Sequence, residues 1–179
     1  MANELSGKRI AILAASGVEQ VELTQPRQAA DDAAATTTLI SVDTGEIQAM
    51  NGDINPADTF TVDQAIGSVS ADDFDALILP GGTCNPDTLR QNADVIAFVQ
   101  AIAGAGKPIA AICHAPWTLV EAGLVKGKRL TSFPSLRTDI RNAGGDVVDE
   151  QVVVDQGLIT SRGPDDLDAF CATFVKEFA

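Results

Sequence analysis

The chain has 179 residues, 45% of them hydrophobic, and 25 acidic against 12 basic side chains leave a net charge of -13. Its length suits one domain over 1–179 with a sizeable core, and no apolar stretch approaches the roughly 20 residues of a membrane span. With eighteen Asp, seven Glu and only five Lys, the chain can hardly assemble the basic face that a nucleic-acid partner requires.

The acid excess has two readings. One is a solvated surface that keeps the protein apart from its neighbours. The other is adaptation to a salt-rich cytoplasm, where screening removes most of the self-repulsion; melting temperature against salt separates them. The opening "MANELSGKRIAIL" lacks the basic start and long apolar run of a secretory signal, which makes the cytoplasm the expected location. Three cysteines, none in C-x-x-C spacing, fit a reducing compartment and argue against zinc. Phosphate-loop and dinucleotide fingerprints are absent, so neither a cofactor nor a metal is expected.

In chain order, "RIAILA" (9–14) reads as a buried strand, and residues 20–33 as a helix. "TTLISV" (37–42), "DALILP" (75–80) and "PIAAIC" (108–113) repeat the strand pattern. Between the last two, "NADVIAFVQAIAGAG" (92–106) sets Val95, Val99 and Ile102 on one helical face. "HAPWTLVEAG" begins another helical pattern. "DVVDEQVVVDQGLITS" (146–161) reads as short strands turning at Gln156-Gly157, an antiparallel addition. A final helix carries Leu167, Phe170, Cys171, Phe174, Val175 and Phe178 on one stripe, with Pro164, Asp165 and Asp166 at its start. Strand and helix in alternation predict an α/β fold layered around a mainly parallel sheet.

Chemistry in such sheets gathers beyond the carboxyl ends of the strands, which selects three places. At the first, Cys113 ends a strand, and Ala111 and Ala115 flank it in an A-x-C-x-A version of the small-residue nucleophile turn. A helix start beyond it favours thiolate, although a buried cysteine is more often a small hydrophobe. His114, the sole histidine, has two open roles: its ring beside the thiol as acid or base, or its backbone N–H alone in an oxyanion hole. Neighbours on a regular element point apart, and only a sharp turn brings the ring to the sulfur.

The second place, "PGGTCNPDTLR", offers Gly81 and Gly82 for close backbone approach and N–H donation, with a tight strand-to-helix connection as the plainer alternative. Asp87 there either orients an imidazole or serves the first turn of the helix that carries Leu89 and Arg90. Cys84 in this loop is a resolving thiol for Cys113 or incidental. At the third, "SGVEQVELTQP", Glu19 and Glu22 lie three apart on one helical face. A carboxyl held against a thiolate stays protonated and donates, while acids in a first helical turn otherwise just serve the dipole. Cys171 belongs to the core stripe, and Trp117 packs rather than binds.

Taken together, "GVEQVEL..P", "FDALILPGG", "GKPIAAICHAP", "LVEAGLVKGKRLTS", "DIRNAGGDVVDEQVVVD" and "LITSRGPDDLDAF" resemble the ThiJ/PfpI (DJ-one) superfamily, its PfpI-type branch in particular. The resemblance runs over almost the whole chain. It implies a flavodoxin-like three-layer α/β sandwich of the class-I glutamine amidotransferase-like kind. It implies Cys113 as elbow nucleophile, Glu22 as the acid that hydrogen-bonds the sulfur with Glu19 nearby, and Gly82 with the His114 backbone as oxyanion hole. By the same resemblance Asp87 of a neighbouring subunit orients His114, so a homodimer or larger homo-oligomer is implied. Two departures stand out: Ala115 replaces the glycine of "CHGP", and "GGTCNPD" is one residue longer than the shorter family form.

The function so implied is a stress-protective cysteine enzyme acting on a small carbonyl compound or a peptide. Its chemistry is peptidase-like hydrolysis or glutathione-independent glyoxalase and deglycase work. A redox sensor that oxidises Cys113 and a holdase-type chaperone are the other classes the superfamily contains.

Overall fold

The computed structural model describes residues 3–179. Its principal strands are Arg9–Leu13 (β1), Thr36–Ser41 (β2), Glu46–Asn51 (β3), Asn55–Thr61 (β4), Gln64–Ala65 (β5), Ala76–Leu79 (β6), Ile109–Ile112 (β7), Val152–Asp155 (β8) and Leu158–Ser161 (β9). Helices are Gln20–Asp32 (α1), Cys84–Arg90 (α2), Ala93–Gly104 (α3), Pro116–Glu121 (α4), Arg137–Asn142 (α5) and Leu167–Phe178 (α6).

Seven strands form one sheet in the order β8-β9-β7-β6-β1-β2-β5. Every neighbour pair is parallel except β8 with β9, which is antiparallel. The four apolar runs thus form the centre of the sheet, as their continuous hydrophobicity requires for strands covered on both faces. Successive side chains of a strand point to opposite faces, and β1 shows the split. Ala11 and Leu13 join the core under α3 and α4, while Ile10 and Ile12 join the core under α1 and α6. This is the expected flavodoxin-like three-layer sandwich.

Three details depart from the sequence reading. Only β8 is an antiparallel addition; β9 pairs parallel with β7, and Asp146–Val147 leaves this sheet to pair with Arg129–Leu130. The apolar stripe of α6 is narrower than its spacing suggests: Phe170 and Phe174 are fully buried, while Cys171 is only partly covered. The β3–β4 hairpin carries no strong apolar alternation, and it forms a separate small sheet with Val18–Glu19. That hairpin places the loop between its strands near the carboxyl edge of the main sheet.

Candidate active site

The carboxyl end of β7 delivers Cys113, whose φ is +63°. A residue other than glycine in the left-handed region costs on the order of 1 kcal/mol or more and needs its surroundings to hold it. Here the backbone is tied on both sides: Cys113 N–H donates to the Ser161 carbonyl (3.1 Å), and its own carbonyl accepts from Phe133 N–H (2.9 Å). Ala115 takes ordinary right-handed dihedrals and is buried, so the methyl that departs from the family pattern is accommodated. The short helix α4 begins only at Pro116, three residues past the sulfur.

The turn brings the neighbours together. Cys113 Sγ lies 3.1 Å from His114 Nδ1, while Nε2 of the same ring is 3.2 Å from Ser135 Oγ. Phe133 stacks on the imidazole at 4.4 Å between centroids, and Trp117 flanks it at 5.5 Å. Burial lowers the pKa of His114, and the charge of Asp53 partly opposes that effect. The lowered pKa favours the neutral ring, and in the tautomer with its proton on Nε2 it accepts at Nδ1 and donates to Ser135 Oγ.

Glu22 enters from the first turn of α1 and is completely buried. Its Oε2 accepts the Gly81 N–H at 3.0 Å. Its Oε1 has no hydrogen-bond partner, and the carboxyl lies against Cys113 across Gly81. Burial above all pushes the pKa of Glu22 up to about 8, with the charge of Glu19 adding to the rise. The acid therefore carries its proton at neutral pH and can donate it. Burial also pushes the Cys113 thiol well up, and an ionised Glu22 would push it further; the amides of Gly82 and His114 pull the other way. The expectation of a thiolate favoured by the helix start is opposed more strongly by desolvation of the buried sulfur. Only the two amides and a protonated Glu22 favour negative charge on this sulfur.

Close approach explains the glycines. A Cβ at Gly81 would press on Glu22 Oε2 and lie 2.6 Å from Cys113 Cβ. At Gly82, with φ +79°, it would lie 2.5 Å from the Gly17 carbonyl oxygen. Asn85 locks the loop from behind: its Oδ1 accepts from Ala15 N–H (2.7 Å), and its Nδ2 donates to the carbonyls of Pro80 and Gly81 (2.9 Å each).

Among the sequence candidates, Cys113, His114, Glu22 and Gly82 converge. Glu19 does not join them; its carboxylate accepts the amides of Gly52 (3.0 Å) and Asp53 (3.1 Å) in the β3–β4 turn. Asp87 lies exposed on α2, where Gln91 Nε2 reaches its carbonyl and Oδ2; within the chain, Ser135 rather than Asp87 meets His114 Nε2. Cys84 is a free, exposed thiol at the start of α2, its Cβ packed toward Gly17. Trp117 packs as expected and donates to Asp139. Asn85, Ser135, Phe133 and Asp53 carry no local signal in the sequence, since each reaches the site through contacts distant along the chain. Among the described residues, no group of three or more His, Cys, Asp or Glu could hold a metal ion, and no helix is long and apolar enough to cross a membrane.

A parallel α/β sheet presenting a strained cysteine at its carboxyl edge, with an acid and a histidine against the sulfur, defines the class of molecule. The DJ-1/PfpI family model matches residues 8–177, and the chain belongs to that family. Three relatives from curated proteins are similar along nearly their whole length. General stress protein 18 of Bacillus subtilis is 41% identical over 92% of this chain and 94% of its own. YraA of the same organism, named provisionally as a cysteine protease, is 40% identical over 91% and 94%. A deglycase of Thermococcus kodakarensis, TK1284, is 38% identical over 94% and 98%. The crystal structure of Drosophila melanogaster DJ-1beta superposes with a TM-score of 0.86 at 30% identity, over 98% of this chain and 91% of that one.

Proposed function

We propose that the protein is a stress-protective cysteine-nucleophile enzyme acting on the carbonyl carbon of a peptide or a small reactive carbonyl compound. One observation carries the reading. The Cys113 sulfur sits on a left-handed turn, 3.1 Å from a base nitrogen, with two backbone amides directed at it and a buried acid of pKa about 8 beside it. The names of relatives, a provisional cysteine protease, deglycases and a general stress protein, support the same range of chemistry.

In this reading Cys113 attacks the carbonyl carbon as its proton passes to His114 Nδ1. The amides of Gly82 and His114 then donate to the oxyanion. With a peptide, imidazolium returns the proton to the leaving amine, and water cleaves the thioester. With methylglyoxal, the first product is a hemithioacetal. Proton transfer between its two carbons gives a thioester, and hydrolysis yields lactate with no net oxidation. Glu22 holds its proton throughout and donates to the sulfur, which limits the site to one negative charge at a time.

The resemblance further supports Asp87 of a neighbouring subunit as the group that orients His114. Its exposed position on α2, outside its own chain's site, leaves it free to serve another copy, and the complete site then belongs to a homodimer or larger assembly in the cytoplasm. The deciding experiment measures methylglyoxal loss with lactate formation and cleavage of fluorogenic peptides, for wild type and Cys113→Ser. Turnover in wild type that vanishes in the variant is expected. Full activity in Cys113→Ser removes the nucleophile. If neither substrate turns over, and peroxide followed by intact mass shows stoichiometric oxidation at Cys113, the sensor class replaces the enzyme.

A further inference from the structure

The β3–β4 turn has an arrangement that the hairpin does not need for its own sake. Register resumes at Asn51 opposite Asn55, leaving Gly52, Asp53 and Ile54 in the loop. Gly52 and Asp53 both have positive φ, +60° and +66°. Aspartate tolerates the left-handed region better than most residues, and two positive φ in succession suit a tight hairpin turn. Glu19 holds this turn from outside the hairpin. Its Oε1 and Oε2 take the amides of Gly52 and Asp53 in turn, which turns the Asp53 side chain toward the Gly-Gly loop. There Oδ1 accepts Thr83 N–H at 2.7 Å, and Oδ2 accepts Thr83 Oγ1–H at 3.0 Å. Thr83 directly follows Gly82, whose amide faces the Cys113 sulfur.

We propose that Asp53 is a positioning residue for the Cys113 centre: it fixes the Gly82 amide by gripping Thr83 at two atoms, and Glu19 holds it in place. The inference rests on the reading of Cys113 as nucleophile. It also gives Glu19 a task, as anchor of the turn rather than as an acid at the sulfur. Gly82 is pinned from the other side by the Gly17 carbonyl and Glu19 N–H, against which no Cβ fits. The donor at residue 82 is thus clamped between two segments remote in sequence. A carboxylate at position 53 is suited to this clamp because a charged acceptor makes the stronger bonds to N–H and O–H. The charged and titratable groups that face it are Glu19 through the turn amides, and Glu22 and His114 through space.

Alkylation of Cys113 by iodoacetamide, followed from pH 6 to 10 by mass of the Cys113 peptide, tests the clamp without any substrate. Asp53→Gly deletes the grip while keeping a residue at ease with positive φ. Its alkylation at pH 7 should be about tenfold slower, with the whole rate–pH curve displaced about one unit to higher pH, as loss of one donor to the thiolate predicts. Asp53→Asn keeps an acceptor for Thr83 N–H and should return the rate to within about threefold of wild type. A wild-type rate–pH curve in Asp53→Gly overturns the proposal. Equal slowing in both variants also overturns it, because an acceptor for Thr83 N–H then makes no difference. If circular dichroism shows Asp53→Gly unfolded, Thr83→Val decides: it removes the Oγ1 bond alone, and a displaced rate–pH curve supports the clamp where an unchanged one refutes it. Should wild type turn over neither methylglyoxal nor peptides while Asp53→Gly still slows alkylation, the clamp stands and the enzymatic reading falls.

Discussion

Cys113 and Cys171 both lie where burial opposes ionisation, yet their surroundings differ in kind. On α6, burial pushes the Cys171 thiol up to about 12 and Asp168 adds repulsion; no group there favours the anion. At the end of β7, burial is stronger, but two amides draw the charge back, and a histidine nitrogen stands within reach of the proton. Depth alone therefore does not separate a reactive cysteine from a packing one. What separates them is backbone: the left-handed turn at Cys113 exposes the sulfur to N–H groups that a helix interior keeps for its own carbonyls.

The largest effect expected from breaking this contrast is on turnover. Cys113→Ser should lower methylglyoxal or peptide turnover by about a thousandfold or more, as loss of a nucleophile commonly does. Cys171→Ser should stay within about twofold, since it removes a partly covered packing group. Comparable losses in the two variants would abolish the distinction. Next comes the histidine. Asp87→Ala should cost roughly tenfold in turnover, about 1.4 kcal/mol of barrier, with melting temperature unmoved because the carboxylate is exposed. An unchanged rate takes Asp87 out of the site.

The same contrast shows what sequence can carry. The four central strands, the three long flanking helices and Cys113 were legible because each announces itself locally, by an apolar run, a helical pattern or small residues around a strand end. The resemblance added Glu22 and Gly82, and the structure sets both beside Cys113. Glu19 shows the limit. Spacing placed it with Glu22 on one helical face, but the helix starts at Gln20, so Glu19 belongs to the extended segment and points to the hairpin turn. Asp53, Asn85 and Ser135 matter through bonds to residues between 21 and 70 positions away, and no periodicity encodes such distances. The β3–β4 hairpin was missed because its outer strand is mostly exposed, leaving little alternation to read.

A smaller effect concerns Glu22 and pH. Its folded pKa of about 8 stands above the ordinary 4.5, so the native state binds a proton that the unfolded chain has released. Stability from this group is fully present below about pH 4.5, and it falls as pH rises towards 8. Glu22→Gln keeps an acceptor for Gly81 N–H and a donor for the sulfur but cannot ionise. Relative to wild type, its melting temperature should rise steadily between pH 5 and 8. Parallel curves for the two proteins would mean that Glu22 ionises normally, and that the proton assigned to it lies elsewhere.

The smallest expected effect lies on the surface, far from either cysteine. Six of the seven arginines, Arg9, Arg27, Arg90, Arg129, Arg137 and Arg162, engage in ion pairs, yet 25 acids stand against only 12 bases. Most carboxylates therefore face water and one another. Exposed pairs contribute at most about 1 kcal/mol each, and salt weakens them. Salt also screens the repulsion among the unpaired acids, which acts over roughly 8–10 Å at moderate ionic strength. With net charge -13, repulsion outweighs the few pairs, so the melting temperature should climb by several degrees from dilute buffer to molar potassium chloride. A flat or falling curve would show that the pairs dominate, and that the acidic surface serves solubility rather than life in salt.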